Sequence, residues 1–228
     1  MSLLKGWLGE KATQFGMWLR LDSRVYQRLH NVVISAENGT TQIDHLLVSI
    51  YGIFVIETKN KSGWIFGGER DRQWTQSIFG KKYPFQNPLH QNYRHTQCLS
   101  TYLSLDHALF HSVVFFIGDC TFKTDVPRNV LDRGLSAYIR SFQRPVLTPD
   151  QVTEIIRRLT ATKKDTTLNH RRHVHSLNAR FSSKTTCPKC SGALVRRIAR
   201  SGKNAGNPFT GCTNYPRCKF TRSLRGEP

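Results

Sequence analysis

Two groups of residues in this 228-residue chain have types and spacings that can do chemistry. The first is Asp44, Glu57 and Lys59, each set in or directly behind an apolar run. Ile43 to Ile50 and Ile53 to Ile56 meet at Tyr51-Gly52, and Val, Ile and Phe around a glycine-containing break read as a β-hairpin. Side chains alternate along a strand, so Glu57 and Lys59 leave from one face, and Asp44 joins them if the cross-strand register permits. Phosphodiester cleavage needs a water aimed at phosphorus and neutralisation of charge on the phosphate oxygens. A hard cation such as Mg2+ or Mn2+, held by carboxylate oxygens, provides both. Asp44 and Glu57 supply such oxygens and the carbonyl of Thr58 would add another, while Lys59 would position the water or stabilise the transition state. The plainer alternative for the same residues is a cross-strand salt bridge on a solvated face.

The second group is Cys187-Pro188-Lys189-Cys190 and Cys212-Thr213-Asn214-Tyr215-Pro216-Arg217-Cys218, with 21 residues between the pairs. Four thiolates close a tetrahedral Zn2+ site and leave no open position, which is a structural and not a catalytic arrangement. A unit of roughly 40 residues has too small a core to fold without a staple, and metal binding supplies the missing free energy. Cys98 and Cys120 stand alone and read as small hydrophobes.

The surrounding charge is uneven. Residues 1–156 hold 17 Lys and Arg against 13 Asp and Glu, and residues 157–228 hold 17 against 2, within a net charge of +19. Such an asymmetry points to a polyanion, most commonly nucleic acid. The alternatives are a solubilising tail or a ribosome-associated surface. No stretch reaches the roughly 18 apolar residues of a membrane span, and Met1-Ser2-Leu3-Leu4-Lys5-Gly6-Trp7 lacks a signal-peptide apolar region. The expected location is the cytoplasm, where thiols stay reduced and paired cysteines favour metal.

The elements that must position these groups follow from the pattern. A helix is expected over 9–29, with Asp22-Ser23 either breaking it or starting a second short helix, and Glu10 in its first turn complements the helix dipole. Asn31 to Ala36 reads as a strand turning at Glu37-Asn38-Gly39-Thr40 into the hairpin. Trp64 to Phe66 is a further strand, and Gln73 to Thr75 can pair with it. Two prolines make 83–89 irregular, and Asn87-Pro88 starts a helix over 88–105. Ser112 to Ile117 is a buried strand, Ala137 to Ile139 a short one, and Thr148-Pro149-Asp150 caps a helix through Leu159. Residues 160–184 are polar and basic. This gives a first domain over 5–160, a basic linker over 161–183 and a small metal-stapled domain over 184–224.

Several separated motifs carry a family resemblance: Gly9-Glu10, Thr41-Gln42-Ile43-Asp44-His45, Gly52 to Asn60, Gly63, Trp74 and Asn87-Pro88-Leu89-His90-Gln91. Together they resemble the nuclease-related domain (NERD), grouped with the PD-(D/E)XK nuclease superfamily. The resemblance covers about 5–120 and implies an α/β, restriction-endonuclease-like fold, with an α-β-β-β-α-β core around a mixed sheet. It also implies Asp44, Glu57 and Lys59 as the catalytic triad, Glu10 as an additional acidic site residue, and Gln91 facing the same cleft. Asp44 follows Ile43 and not the proline of the superfamily motif, as is usual in this branch. His45 alternates away from Asp44 and reads as packed or hydrogen-bonded, and His90 and His95 have no metal-ligand spacing with another histidine.

Residues 184–222 resemble the C-terminal zinc ribbon of type IA DNA topoisomerases through Cys187 to Arg197, Gly202-Lys203, Phe209 and Gly211 to Phe220. In that family the ribbon binds DNA, often single-stranded, by stacking and backbone contacts. Phe209, Tyr215 and Phe220 are the stacking candidates here, although some must pack the ribbon's own core. Arg196, Arg197, Arg200, Lys203 and Lys219 are the phosphate candidates. The expected function is Mg2+- or Mn2+-dependent DNA cleavage with a zinc ribbon holding the substrate. The alternatives are a DNA-binding protein whose nuclease fold has lost turnover, and an RNA substrate.

Overall fold

The computed structural model describes residues 21–36, 39–161, 175, 178–179, 181–190, 192–202, 204–216 and 218–224. The chain divides into two compact units, the first of residues 1–34 and 41–166 and the second of residues 35–40 and 167–228. The first unit is built on a five-stranded sheet whose order is β1 (Gln27–Ala36), β2 (Gly39–Ser49), β3 (Gly52–Lys59), β7 (Phe110–Phe116) and β9 (Val130–Leu131). β2 and β3 are antiparallel with Leu46 opposite Val55, whereas β3 and β7 are parallel with Glu57 opposite Val114. Parallel neighbours need a long crossover. Here it consists of β4 (Gly63–Phe66), β5 (Gln73–Ile78), β6 (Lys81–Gln86) and α1 (Pro88–Leu103).

β3 is central and apolar on both faces because both faces are covered. Ile53 and Val55 join Leu46, Val48, Leu99 and Leu103 of α1, and Ile155 and Leu159 of α3 (Pro149–Ala161), in one core cluster. Phe54 and Ile56 join Leu47, Val113 and Leu135 and Ile139 of α2 (Leu135–Arg140) in another. Gly52 makes the β2–β3 turn at φ +119, and a Cβ there would sit 2.7 Å from His111 Nε2, so no other residue fits without displacing β7. A second sheet runs β6-β5-β4-β8, with β8 over Cys120–Phe122, and its fully buried Trp74 stacks on Phe116 at 6.0 Å between centroids.

This is a mixed α/β fold with mixed sheets, as expected, and three local expectations need correction. Residues 21–29 of the helix expected over 9–29 are not helical, since 23–25 form a turn and β1 starts at Gln27; residues 9–20 of that segment lie outside the described residues. Residues 83–86 are not irregular but lie in β6, the edge of its sheet, where the missing N–H of Pro84 costs no central ladder bond. Ala137 to Ile139 is helical, buried through Ile139 on one side only, because three apolar residues fit a single helical turn as well as a strand. At α3, Thr148 and Gln151 exchange hydrogen bonds at 3.2 and 2.8 Å in a capping box.

The second unit is a three-stranded antiparallel sheet of β10 (Leu194–Ile198), β11 (Pro208–Cys212) and β12 (Thr221–Ser223). Leu194 and Phe220 pack against Cys187, Cys212 and Cys218 as its small core. No helix among the described residues is long and apolar enough to cross a membrane.

Candidate functional site

The polar group at the open end of β2 and β3 depends on an irregularity in β2. Ile43, Leu46 and Val48 all enter the same core cluster, and residues three apart in a regular strand face opposite ways. The break in alternation falls on Asp44-His45, a type of distortion that re-aims side chains next to active sites. It turns Asp44 towards β3, where Asp44 Oδ2 accepts hydrogen bonds from Thr58 N at 3.2 Å and Thr58 Oγ1 at 3.1 Å. Burial, then the charge of Glu57, raises the Asp44 carboxyl to about 6 despite those bonds.

Glu57 is 3% exposed. Lys59 Nζ donates to Glu57 Oε1 at 2.6 Å and to Gln91 Oε1 at 2.9 Å, tying β3 to α1. Burial pushes the Glu57 carboxyl up, but the His95 hydrogen bond and the Lys59 charge outweigh it and leave it below the usual value. The four residues Asp44, Glu57, Lys59 and Gln91 are therefore brought together. Glu10 lies outside the described residues.

Two buried asparagines place Gln91. Asn87 Oδ1 caps α1 by accepting from Leu89 N at 2.9 Å. Its Nδ2 donates to the carbonyls of Gly68, Glu69 and Asp71 at 3.2, 3.2 and 2.6 Å, fastening the β4–β5 loop to the helix start. Next to Gln91, Asn92 Nδ2 donates to Val55 O at 2.8 Å and Val113 O at 3.0 Å, so the first turns of α1 cannot slide over β3 and β7.

His95, one turn beyond Gln91 on α1, escaped the sequence analysis. Its Nε2 lies 3.5 Å from Glu57 Oε2, at the long limit for a hydrogen bond, and that nitrogen is buried with no other partner. A carboxylate only accepts, so Nε2 is the donor towards Glu57, and Nδ1 shares a hydrogen bond with Thr41 Oγ1 at 2.8 Å. The i, i+4 spacing from Gln91 was visible, but a search for histidine pairs overlooks a carboxylate partner. His45 is buried and faces His30, Nδ1 to Nδ1 at 2.7 Å, and burial lowers its imidazole to about 3.

The two carboxylates fit a hard divalent cation, since they offer oxygen ligands and lie close enough for the charge of one to raise the other.

In the second unit the four cysteine sulfurs lie within 4.8 Å of one another. Cys187 and Cys218 sulfurs are 3.7 Å apart, and those of Cys190 and Cys212 are 3.3 Å apart. Zn–S bonds of about 2.3 Å in a tetrahedron place sulfurs about 3.8 Å apart, so the cluster fits one zinc and not disulfides. Backbone N–H groups of Lys189 and Asn214 point at Cys187 and Cys212 sulfurs, both at 3.4 Å, as thiolates require. The site supports a structural Zn2+.

An open groove of about 1240 Å³ beside β10 and β11 is lined by Arg196, Arg197, Arg200 and Phe209. Arg197 and Phe209 are cross-strand partners, and both pass over Gly211, where a Cβ would come within 3.2 Å of the ring. Lys219 and Tyr215 are exposed and do not line this groove. Phe220 packs against the cysteine cluster, with the Arg222 guanidinium 5.8 Å from its ring. Lys203 lies outside the described residues.

Comparison with known proteins agrees with both halves. Residues 5–117 match the family model described as the nuclease-related domain, and residues 184–226 match that of the topoisomerase DNA binding C4 zinc finger. An uncharacterized protein of Bacillus anthracis is 38% identical over 181 residues, covering 75% of this chain and 84% of that protein. DNA topoisomerase 1 of Mycoplasmoides gallisepticum is 56% identical over 34 residues, 15% of this chain and 4% of that enzyme. DNA topoisomerase 1 of Archaeoglobus fulgidus is 50% identical over 38 residues, 17% of this chain and 5% of that enzyme. No solved structure matches the chain.

Proposed function

We propose that this chain, which belongs to the nuclease-related domain family and carries a topoisomerase-type C4 zinc ribbon, is a metal-dependent nuclease that binds and cleaves DNA. The observation that carries the reading is the Lys59 ammonium, held at once by Glu57 and Gln91 beside the Asp44 carboxyl. A lysine fixed by two acceptors is a preorganised positive charge at the place where a phosphate must lie, and preorganised charge stabilises a transition state without reorganisation. Asp44, Glu57 and the Thr58 carbonyl would hold Mg2+ or Mn2+, which when bound supplies charge neutralisation and an acidified water. Glu10 would add a further acidic group, and Gln91 would orient water or phosphate.

The layout proposed is a nuclease domain over 5–160, a basic linker over 161–183 and a DNA-holding ribbon over 184–224. Arg196, Arg197, Arg200, Lys203 and Lys219 would meet phosphates of a single strand, with Phe209 and Tyr215 stacking on bases. Phe220 would serve the ribbon core first. The working compartment is the cytoplasm, where the thiols stay available to zinc.

One feature favours a second reading, a DNA-binding protein that keeps the nuclease fold only as a scaffold: both Glu57 oxygens already face protein donors, Lys59 and His95. The deciding experiment offers DNA and RNA to the purified protein with Mg2+ or Mn2+. Under the nuclease reading DNA is cut, and Glu57→Ala or Lys59→Ala abolishes cutting while binding persists. Absence of metal-dependent cutting of either nucleic acid, or cutting indifferent to both substitutions, refutes it. Cutting of RNA alone reassigns the substrate.

A further inference from the structure

The four-stranded sheet β6-β5-β4-β8 has one face committed to the core, where Ile65 and Trp74 are buried with Phe85 and Phe122 against them. Its other face is open. The registers place Lys82, Ser77, Trp64 and Thr121 in one row across all four strands. Trp64 in that row is 54% exposed, an unusual place for the largest apolar side chain, and Lys123 Nζ lies 4.8 Å from its ring centroid.

The β5–β6 hairpin ends in a two-residue loop, Phe79-Gly80, with φ +49 and +76. Positive φ at both positions is the turn for which Asn-Gly is preferred, and a bulky side chain there is strained. Phe79 is nevertheless fully exposed and packs on nothing that would repay the strain. Strain kept without a packing return is a mark of function. No Asp or Glu occurs on the four strands, while Lys81, Lys82 and the flanking Lys61 and Lys123 add positive charge. Pro84 on β6 bars strand addition by another protein at this edge.

We infer that the outer face of this sheet and its hairpin tip bind single-stranded nucleic acid, with Trp64 and Phe79 stacking on bases and Lys82 and Lys123 meeting phosphates. The inference rests on the proposed function for the identity of the polyanion, but not on turnover. Exposed aromatic faces interleaved with lysines are the chemistry that recognises single strands, because every base has a face to stack and every linkage a charge. The sheet is contiguous in sequence with the candidate site at both ends, since β4 follows Lys59 after three residues and β6 leads through Asn87 into α1.

The test measures binding of a labelled single-stranded oligodeoxythymidylate to the full-length protein without divalent metal. Trp64→Ala and Phe79→Asn should each weaken binding about 5-fold or more, the low end of losing one base stack. Phe79→Asn should at the same time leave the thermal midpoint unchanged or raise it, since asparagine suits the turn. Lys82→Ala and Lys123→Ala together should flatten the salt dependence. Wild-type affinity in all these variants overturns the inference, as does a loss confined to duplex DNA. Normal hairpin-dependent binding in a protein that never cuts overturns the nuclease reading alone. Cutting with hairpin-independent binding overturns this inference alone.

Discussion

His95 Nε2 faces Glu57 Oε2 at 3.5 Å, on the carboxylate oxygen that Lys59 leaves free. Glu57 is thus fixed from two elements, by Lys59 of its own strand and by α1. A buried carboxylate that must hold a cation in one orientation needs such partners, and removing outer partners of metal-site ligands typically costs about 10- to 100-fold in metal affinity or activity. His95→Ala is expected to lower cleavage by a factor in that range and to raise the Mg2+ concentration needed for half-maximal rate. His95→Gln, able to donate to Glu57, should recover part of both. A metal dependence identical to wild type in His95→Ala would leave the histidine a packing residue.

Under the nuclease reading, Asp44 would tie activity to a cost in stability. Its carboxyl stands at about 6 against a usual 3.8, chiefly through burial and then the Glu57 charge. The folded state therefore holds its proton more tightly than the unfolded one, so this group favours folding below pH 3.8, and that advantage is lost as pH rises through 6. At pH 7.5, without Mg2+, Asp44→Asn should stabilise the first unit by roughly 1 to 3 kcal/mol, with no gain at low pH. All four tryptophans belong to the first unit, so urea unfolding followed by tryptophan fluorescence reads that unit. Equal or lower stability of the variant at neutral pH contradicts the account, whatever happens to cleavage.

What the sequence alone declares is local. Ile53 to Ile56 running into Glu57 and Lys59 declares a buried central strand with two charges on one face, because a period of two needs only neighbours in sequence. The Cys187–Cys190 and Cys212–Cys218 spacings are equally local. Asp44 is different, since its direction depends on an irregularity in β2 that alternation rules cannot anticipate. The Asn87–Pro88 signal gave a helix start, but the three carbonyls that Asn87 Nδ2 gathers from 68–71 are a tertiary fact. His95 was hidden for the same reason, because its partners Thr41 and Glu57 come from β2 and β3. Pro84 misled because proline excludes a central strand and not an edge.

The ribbon makes a separate prediction about salt. Zinc binds thiolates and must displace the thiol protons of the cluster, so zinc affinity should fall as the solution is acidified. Cys212→Ser or chelation should then unfold the second unit and remove its arginines from register. With zinc in place, each phosphate contact to a single strand contributes about 0.7 to the slope of log affinity against log salt. Replacing Arg196, Arg197 and Arg200 by alanine should therefore lower that slope by about 2, with the zinc content unchanged. The groove these side chains share with Phe209 gives the prediction its geometry, because three guanidinium groups around one aromatic can follow one strand. If the triple variant retained its zinc and the full wild-type slope, the arginine groove would not be where the ribbon meets nucleic acid. The contacts would then have to come from Lys219 and the side chains around Tyr215.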